Sequence, residues 1–219
     1  MGEILGLTWD CVDISEDAIC AGTAHVRITK ELKRCQKDSL AALERRGRST
    51  VLLTFPEWKQ TGSSTSLVLK APKTESSVRK VFLPKTVALA LVEEKKRQQG
   101  IKEMLASGYQ DFDLVIAHED GRPYEERQIA FLLHKLTDAT GLPPVVFHSL
   151  RHCSASLKLQ IGGGNIKAVQ GDTGHAQSRM VTDLYAHTNN EERRRLAEKV
   201  ETAVSYTHLR AHETGRNIV

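Results

Sequence analysis

The segments VVFHSLRH at 145–152 and GHAQSRMVTDLYAH at 174–187 constrain this chain more than any other feature. They supply His148, Arg151 three residues later, His175, and Tyr185 ten residues beyond that. Brought to one place, these side chains make a phosphate-handling set with a nucleophile. Ser149 is a good N-cap for a helix over about 149–160, which would put Arg151 in the first turn. Free backbone N–H groups and the helix dipole favour an anion there. A guanidinium can pair two phosphate oxygens in parallel bonds. His148 can donate to an oxygen or move a proton. A free tyrosine is mostly neutral at neutral pH, so Tyr185 would act as a nucleophile only in a positive, hydrogen-bonding surrounding.

Other classes of function find less support. The chain has 219 residues, enough for one ordinary domain or one with an appendage. Its net charge of +4 is a mild lean toward anionic partners and would not identify a nucleic-acid binder alone. Cys11, Cys20, Cys35 and Cys153 show no CxxC spacing and read as reduced thiols of a cytoplasmic protein. No apolar run approaches ~18 residues, so no membrane span is expected. The opening MGEILGL has no basic flank for a signal peptide, and Gly6 breaks the myristoylation pattern. GGGN at 162–165 fails the spacing of both nucleotide-binding glycine loops. His148 and His152 form an HxxxH pair, but Ser149 stands where a zinc HExxH site needs Glu, so no metal is expected. A metal-dependent phosphodiesterase built on His148, His152 and His175 is the rival that bound metal and EDTA sensitivity would reveal.

The apolar pattern predicts a helix end at 2–7, a turn over 8–13 and a strand at 24–29. Residues 30–66 read as a polar, irregular insertion with one possible strand at 51–55. Two extended runs, 66–73 and 77–84, flank KTESS and predict a hairpin. A helix over 85–107 begins after Pro84, LVIA at 114–117 is extended, and EDGRP at 119–123 is a turn. A second helix over 125–139 presents Ile129, Leu132, Leu133 and Leu136. The helix after GLPP should bury Leu150, Cys153, Leu157 and Ile161 and stop at GGG, 162–164. Short helices follow at 165–170 and 178–185. A last one at 190–204, capped by Thr188 and Glu191, turns Leu196, Val200 and Val204 inward. Residues 205–219 lose all periodicity and resemble translated sequencing-adapter sequence.

GEILGLTWDCVD, PKTESSVRKVFLP, FHSLRH and GDTGHAQSRMVTDLYAH, in that order, resemble the catalytic core of the tyrosine recombinases, the phage and conjugative-transposon integrases. The resemblance covers residues 2 to about 204. It implies an α+β, mainly α, DNA breaking-rejoining catalytic domain with a small antiparallel β-sheet over 1–204, lacking its first helices. The stretch 205–219 would be a non-family tail, disordered or artefactual. It further implies site-specific recombination through a 3′-phosphotyrosine. Tyr185 would be the nucleophile, with Arg151, His148 and His175 on the scissile phosphate. Lys73 would be the general acid for the 5′ oxygen, with Lys70 and Lys80 as neighbours that could be confused with it. Glu3 would orient the site, and Arg79 and Lys80, with Arg27 and Lys30, could contact the DNA backbone. The implied partner is double-stranded DNA, bound by a homotetramer in the intact enzyme, with no cofactor, metal, membrane or small-molecule substrate. The setting would be the cytoplasm of a bacterium, with the gene bacterial or phage-borne. The family's first catalytic arginine would fall one residue before Met1, so the resemblance also implies a truncated and impaired domain. The alternative is a catalytically impaired DNA-binding remnant.

Overall fold

A computed structural model describes residues 1–46, 50–58, 62–72, 77–162 and 165–173, together with Arg194 and Glu198. The chain divides into two compact units, Met1–Ser178 and Arg179–Val219. In the second, Arg194 and Glu198 are helical and form an i,i+4 ion pair at 3.5 Å. Apart from these two, the expected helices at 178–185 and 190–204 and the tail 205–219 lie outside the described residues.

The first unit begins with α1 (Gly2–Leu5), β1 (Val12–Asp13), α2 (Glu16–Cys20) and β2 (His25–Ile28). Next come β3 (Glu31–Gln36), α3 (Lys37–Arg45), β4 (Val51–Thr54), β5 (Thr65–Lys70) and β6 (Arg79–Phe82). Four helices close it: α4 (Lys85–Leu105), α5 (Glu126–Thr140), α6 (Phe147–Ile161) and α7 (Ile166–Thr173). The strands form two antiparallel sheets, β1-β2-β6 and β3-β5-β4.

The expected hairpin is therefore corrected: both extended runs are strands, but they belong to different sheets. Ser66, Leu67, Val68 and Leu69 of β5 are all buried. A strand covered on both faces sits at the centre of a sheet and needs a partner on each edge. β3 and β4 supply them. β6 alternates between half-buried and exposed residues and joins β2, with Arg27 opposite Lys80.

The 30–66 segment is also more ordered than its composition suggests. β3 pairs with β5 from Glu31↔Lys70 to Gln36↔Thr65, and Lys70 reaches Glu31 at 2.8 Å. Only Leu32 of β3 is buried, so no alternation announced the strand. α3 buries no residue at all. The expected turn at 8–13 is a short 3-10 helix, Trp9–Cys11, running into β1.

The core packs Leu5 of α1 against Leu32, Phe55, Leu67 and Leu69 of the β3-β5-β4 region and against Leu114 and Ala117. Residues 114–117 form no strand: the chain bends at Val115 and Ile116 between isolated bridges at Thr8↔Leu114 and Ala117↔Pro123. In the turn that follows, Gly121 has φ +84°, and a Cβ there would lie 2.2 Å from the Gln110 carbonyl oxygen, which restricts the position to glycine. A smaller cluster of Ala18, Ala24 and Ala88 joins α2 and the start of β2 to α4.

The helix faces differ from expectation. On α5, Ile129 and Leu133 are half-buried and Thr137 buried, but Leu132 and Leu136 are exposed. On α6 the buried residues are Ala155 and Leu159, whereas Leu150, Cys153, Leu157 and Ile161 are exposed. Positions 151, 155 and 159 share a face at four-residue spacing, and α6 packs against α7, where Val169 is buried. Ser149 is not the cap. α6 starts two residues earlier with extended Val146 as N-cap, to whose carbonyl oxygen the Ser149 N–H donates at 2.9 Å.

Candidate active site

Three elements meet around Arg79, the first residue of β6. α7 packs on both β6 and α6. The Arg79 Nη1 and Nη2 atoms donate to the two Glu3 carboxylate oxygens at 3.0 and 2.7 Å, a forked pair reaching α1. Nε donates to the Asp172 carbonyl oxygen of α7 at 2.9 Å, and Nη1 also donates to the Ser77 carbonyl oxygen at 3.0 Å. Asp172 is held a second time, because Lys158 Nζ of α6 donates to its carboxylate at 2.7 Å. The Arg79 side chain is only 12% exposed. These bonds of Arg79, expected from the sequence to contact DNA backbone, all go to protein acceptors.

Arg151 is half-buried in the second turn of α6, with its Nε withdrawn from solvent. Its charge acts on Glu3. Burial pushes the Glu3 carboxyl up, but the hydrogen bonds and charge of Arg79 and the charge of Arg151 outweigh it and hold the group below 4.5. A folded-state value below the unfolded one makes this carboxylate stabilising above the ordinary carboxylate range, and the benefit fades as pH falls through the depressed value. Melting temperatures of the wild type and of Glu3→Gln should therefore differ by a constant gap at neutral pH. That gap should close as the pH drops below 4.5. A gap that widens in acid would contradict the assignment.

His148 is exposed in the first turn of α6, so the free N–H groups of the helix start lie nearer to it than to Arg151. Its ring meets that of His152 edge-on, with centroids 4.5 Å apart. Among the described residues no group of three or more His, Cys, Asp or Glu is placed to hold a metal ion. Lys80 is exposed, with its Nζ 5.7 Å from the Phe82 ring centroid. Arg27, opposite it on β2, is also exposed, and donates to the Asp10 carbonyl oxygen at 3.2 Å. Lys30 is tied to Thr8 and to both Asp10 carboxylate oxygens.

Lys73, His175 and Tyr185 lie outside the described residues. Their described neighbours are informative: Ser77 closes the segment that carries Lys73, and Asp172 stands three residues before His175. Sequence reasoning missed Asp172 and Lys158. They lie 14 residues apart on different helices, and no local pattern links them.

Among the described residues no helix is long and apolar enough to cross a membrane. The sequence pattern of the phage integrase family matches residues 1–192. A tyrosine recombinase XerC-like protein from Caldanaerobacter subterraneus subsp. tengcongensis is 24% identical over 189 residues, which cover 85% of this chain and 41% of that protein. The Tn1549 transposon integrase, solved in complex with transposon right end DNA, superposes with a TM-score of 0.62 at 20% identity. That match covers 91% of this chain and 54% of the integrase chain. The XerA recombinase superposes at 0.52 and 18% identity, covering 90% of this chain and 51% of that one. The chain thus spans about half the length of these solved relatives, and less of the curated one. It shares their fold, mainly helical with small antiparallel sheets. With the pattern matched over 192 residues, this chain belongs to the phage integrase family.

Proposed function

We propose that this domain breaks and rejoins double-stranded DNA in site-specific recombination, the integration or excision of a mobile element. As the Tyr185 phenol gives up its proton to His148, its oxygen attacks the scissile phosphorus and forms a 3′-phosphotyrosine. The bond from phosphorus to the 5′ oxygen breaks, and Lys73 supplies the proton that the departing oxygen takes. Arg151, His148 and His175 neutralise the non-bridging oxygens, the charge work that Mg²⁺ does in many phosphoryl transfers. Rejoining reverses these steps, and the ester conserves the energy of the broken bond. Glu3 supports the site, and Lys80 contacts DNA backbone. The intact enzyme acts on DNA as a homotetramer.

The observation that supports this reading most is the setting of Arg151. It is half-buried on the inner face of α6, with its charge next to the paired Glu3, in a chain whose family match runs through the Tyr185 segment. A half-buried guanidinium acts on an anion more strongly than a fully solvated one does.

Nicked suicide duplexes drawn from the DNA flanking the protein's own gene provide the test. Incubation with the intact protein should give an SDS-stable adduct, and peptide mapping should find the DNA 3′ end on Tyr185. No adduct at any protein concentration, or attachment at another residue, overturns the proposal.

A further inference from the structure

We infer that Arg79 is a positioning residue for the strand-breaking reaction, a single guanidinium that locks Glu3, Ser77 and Asp172 into one joint. The inference rests on the reaction proposed above. A guanidinium carries five N–H donors in a fixed plane. In Arg79 four of them are engaged: one on Nε, two on Nη1 and one on Nη2. That leaves at most one for a phosphate, and the side chain is 12% exposed.

The acceptors sit where the site needs rigidity. Glu3 is the carboxylate on which the Arg151 charge acts. Ser77 ends the segment that brings in Lys73. Asp172 is in the last turn of α7, and the chain reaches His175 three residues later. Asp172 is fixed at both ends, its carbonyl by Arg79 and its carboxylate by Lys158. One side chain therefore ties together the approaches to three groups of the proposed chemistry. A lysine cannot take its place, because an ammonium is a point charge with three donors on a flexible stem and cannot fork across a carboxylate while also reaching two carbonyls.

Positioning and phosphate contact have different signatures. Misplacing reacting groups by about 1 Å costs about 10²-fold in rate. Removing one phosphate contact weakens binding and lowers the slope of log affinity against log salt by about 1. The experiment compares the wild type with Arg79→Lys, Glu3→Gln and the double variant. It reads the rate of adduct formation at saturating suicide DNA, DNA affinity across salt concentrations, and amide hydrogen exchange of peptides covering 72–82 and 166–178. Arg79→Lys should slow adduct formation by about 10²-fold with affinity and salt slope unchanged. Both peptides should exchange faster, and the double variant should be no slower than Arg79→Lys, because both changes open the same joint.

A rate within about threefold of wild type, or a lost salt slope, overturns the inference. If Arg79→Lys does not fold, Glu3→Gln carries the same comparison. If the wild type itself forms no adduct, the proposed reaction fails, while hydrogen exchange still judges the joint: unchanged protection in Arg79→Lys refutes it.

Discussion

Tyr185→Phe is expected to abolish the covalent protein–DNA adduct while leaving non-covalent DNA binding within about tenfold of wild type. The phenolic oxygen is the atom that bonds to phosphorus, and phenylalanine has none. Every other group proposed for the step only stabilises charge or moves a proton, and losing one such donor commonly slows a reaction by about 10²–10³-fold without stopping it. The ring is retained, so packing changes little. The most that binding can lose is a hydrogen bond, worth about 0.5–1.5 kcal/mol net, or up to about tenfold. Gel-shift titration and denaturing electrophoresis of the same samples separate the two quantities. Residual adduct in Tyr185→Phe would move the nucleophile elsewhere; affinity lost far beyond tenfold would mean that Tyr185 serves structure or binding first.

The parts of this molecule that were legible in the sequence are those in which a side chain acts near its own position in the chain. Pro84 starts α4 and Gly121 makes its turn, both through local backbone chemistry. The four motifs likewise indicated the integrase fold before any contact was known, since family order and spacing are properties of the linear chain. Pairing across the chain left no such trace. β5 and β6 looked like one hairpin because both are extended and a short loop separates them. What separates them is the burial of four consecutive residues in β5, which calls for two neighbours. Arg79 looked like a DNA-backbone contact for the same reason: its carboxylate partner lies 76 residues away, and its carbonyl partner on α7 lies 93 residues away. A basic residue beside a lysine on a strand reads as surface until its acceptors are known.

α6 provides the sharpest contrast between pattern and packing, and its test is a pair of leucines two residues apart. Leu159→Ala should destabilise the first unit by about 2–5 kcal/mol, the usual range for a cavity left by a buried leucine. Leu157→Ala should change stability by no more than about 0.5–1 kcal/mol, as surface substitutions do. Leu159 is 0% exposed and Leu157 is 56% exposed. The apolar residues of α6 occupy two faces, and spacing alone favours 150, 153, 157 and 161 because all four are apolar. The face that packs instead contains Arg151, Ala155 and Leu159, with a charge at one end and a small residue in the middle. Ala155 and Leu159 are buried on this face, and Arg151, half-buried on it, acts with its charge on Glu3. A single helix rotation thus fixes both the core and the candidate phosphate clamp. Urea unfolding of the two variants measures it. Equal losses would mean that α6 is turned differently. A larger loss for Leu157→Ala would restore the face that periodicity suggests and would carry Arg151 away from Glu3.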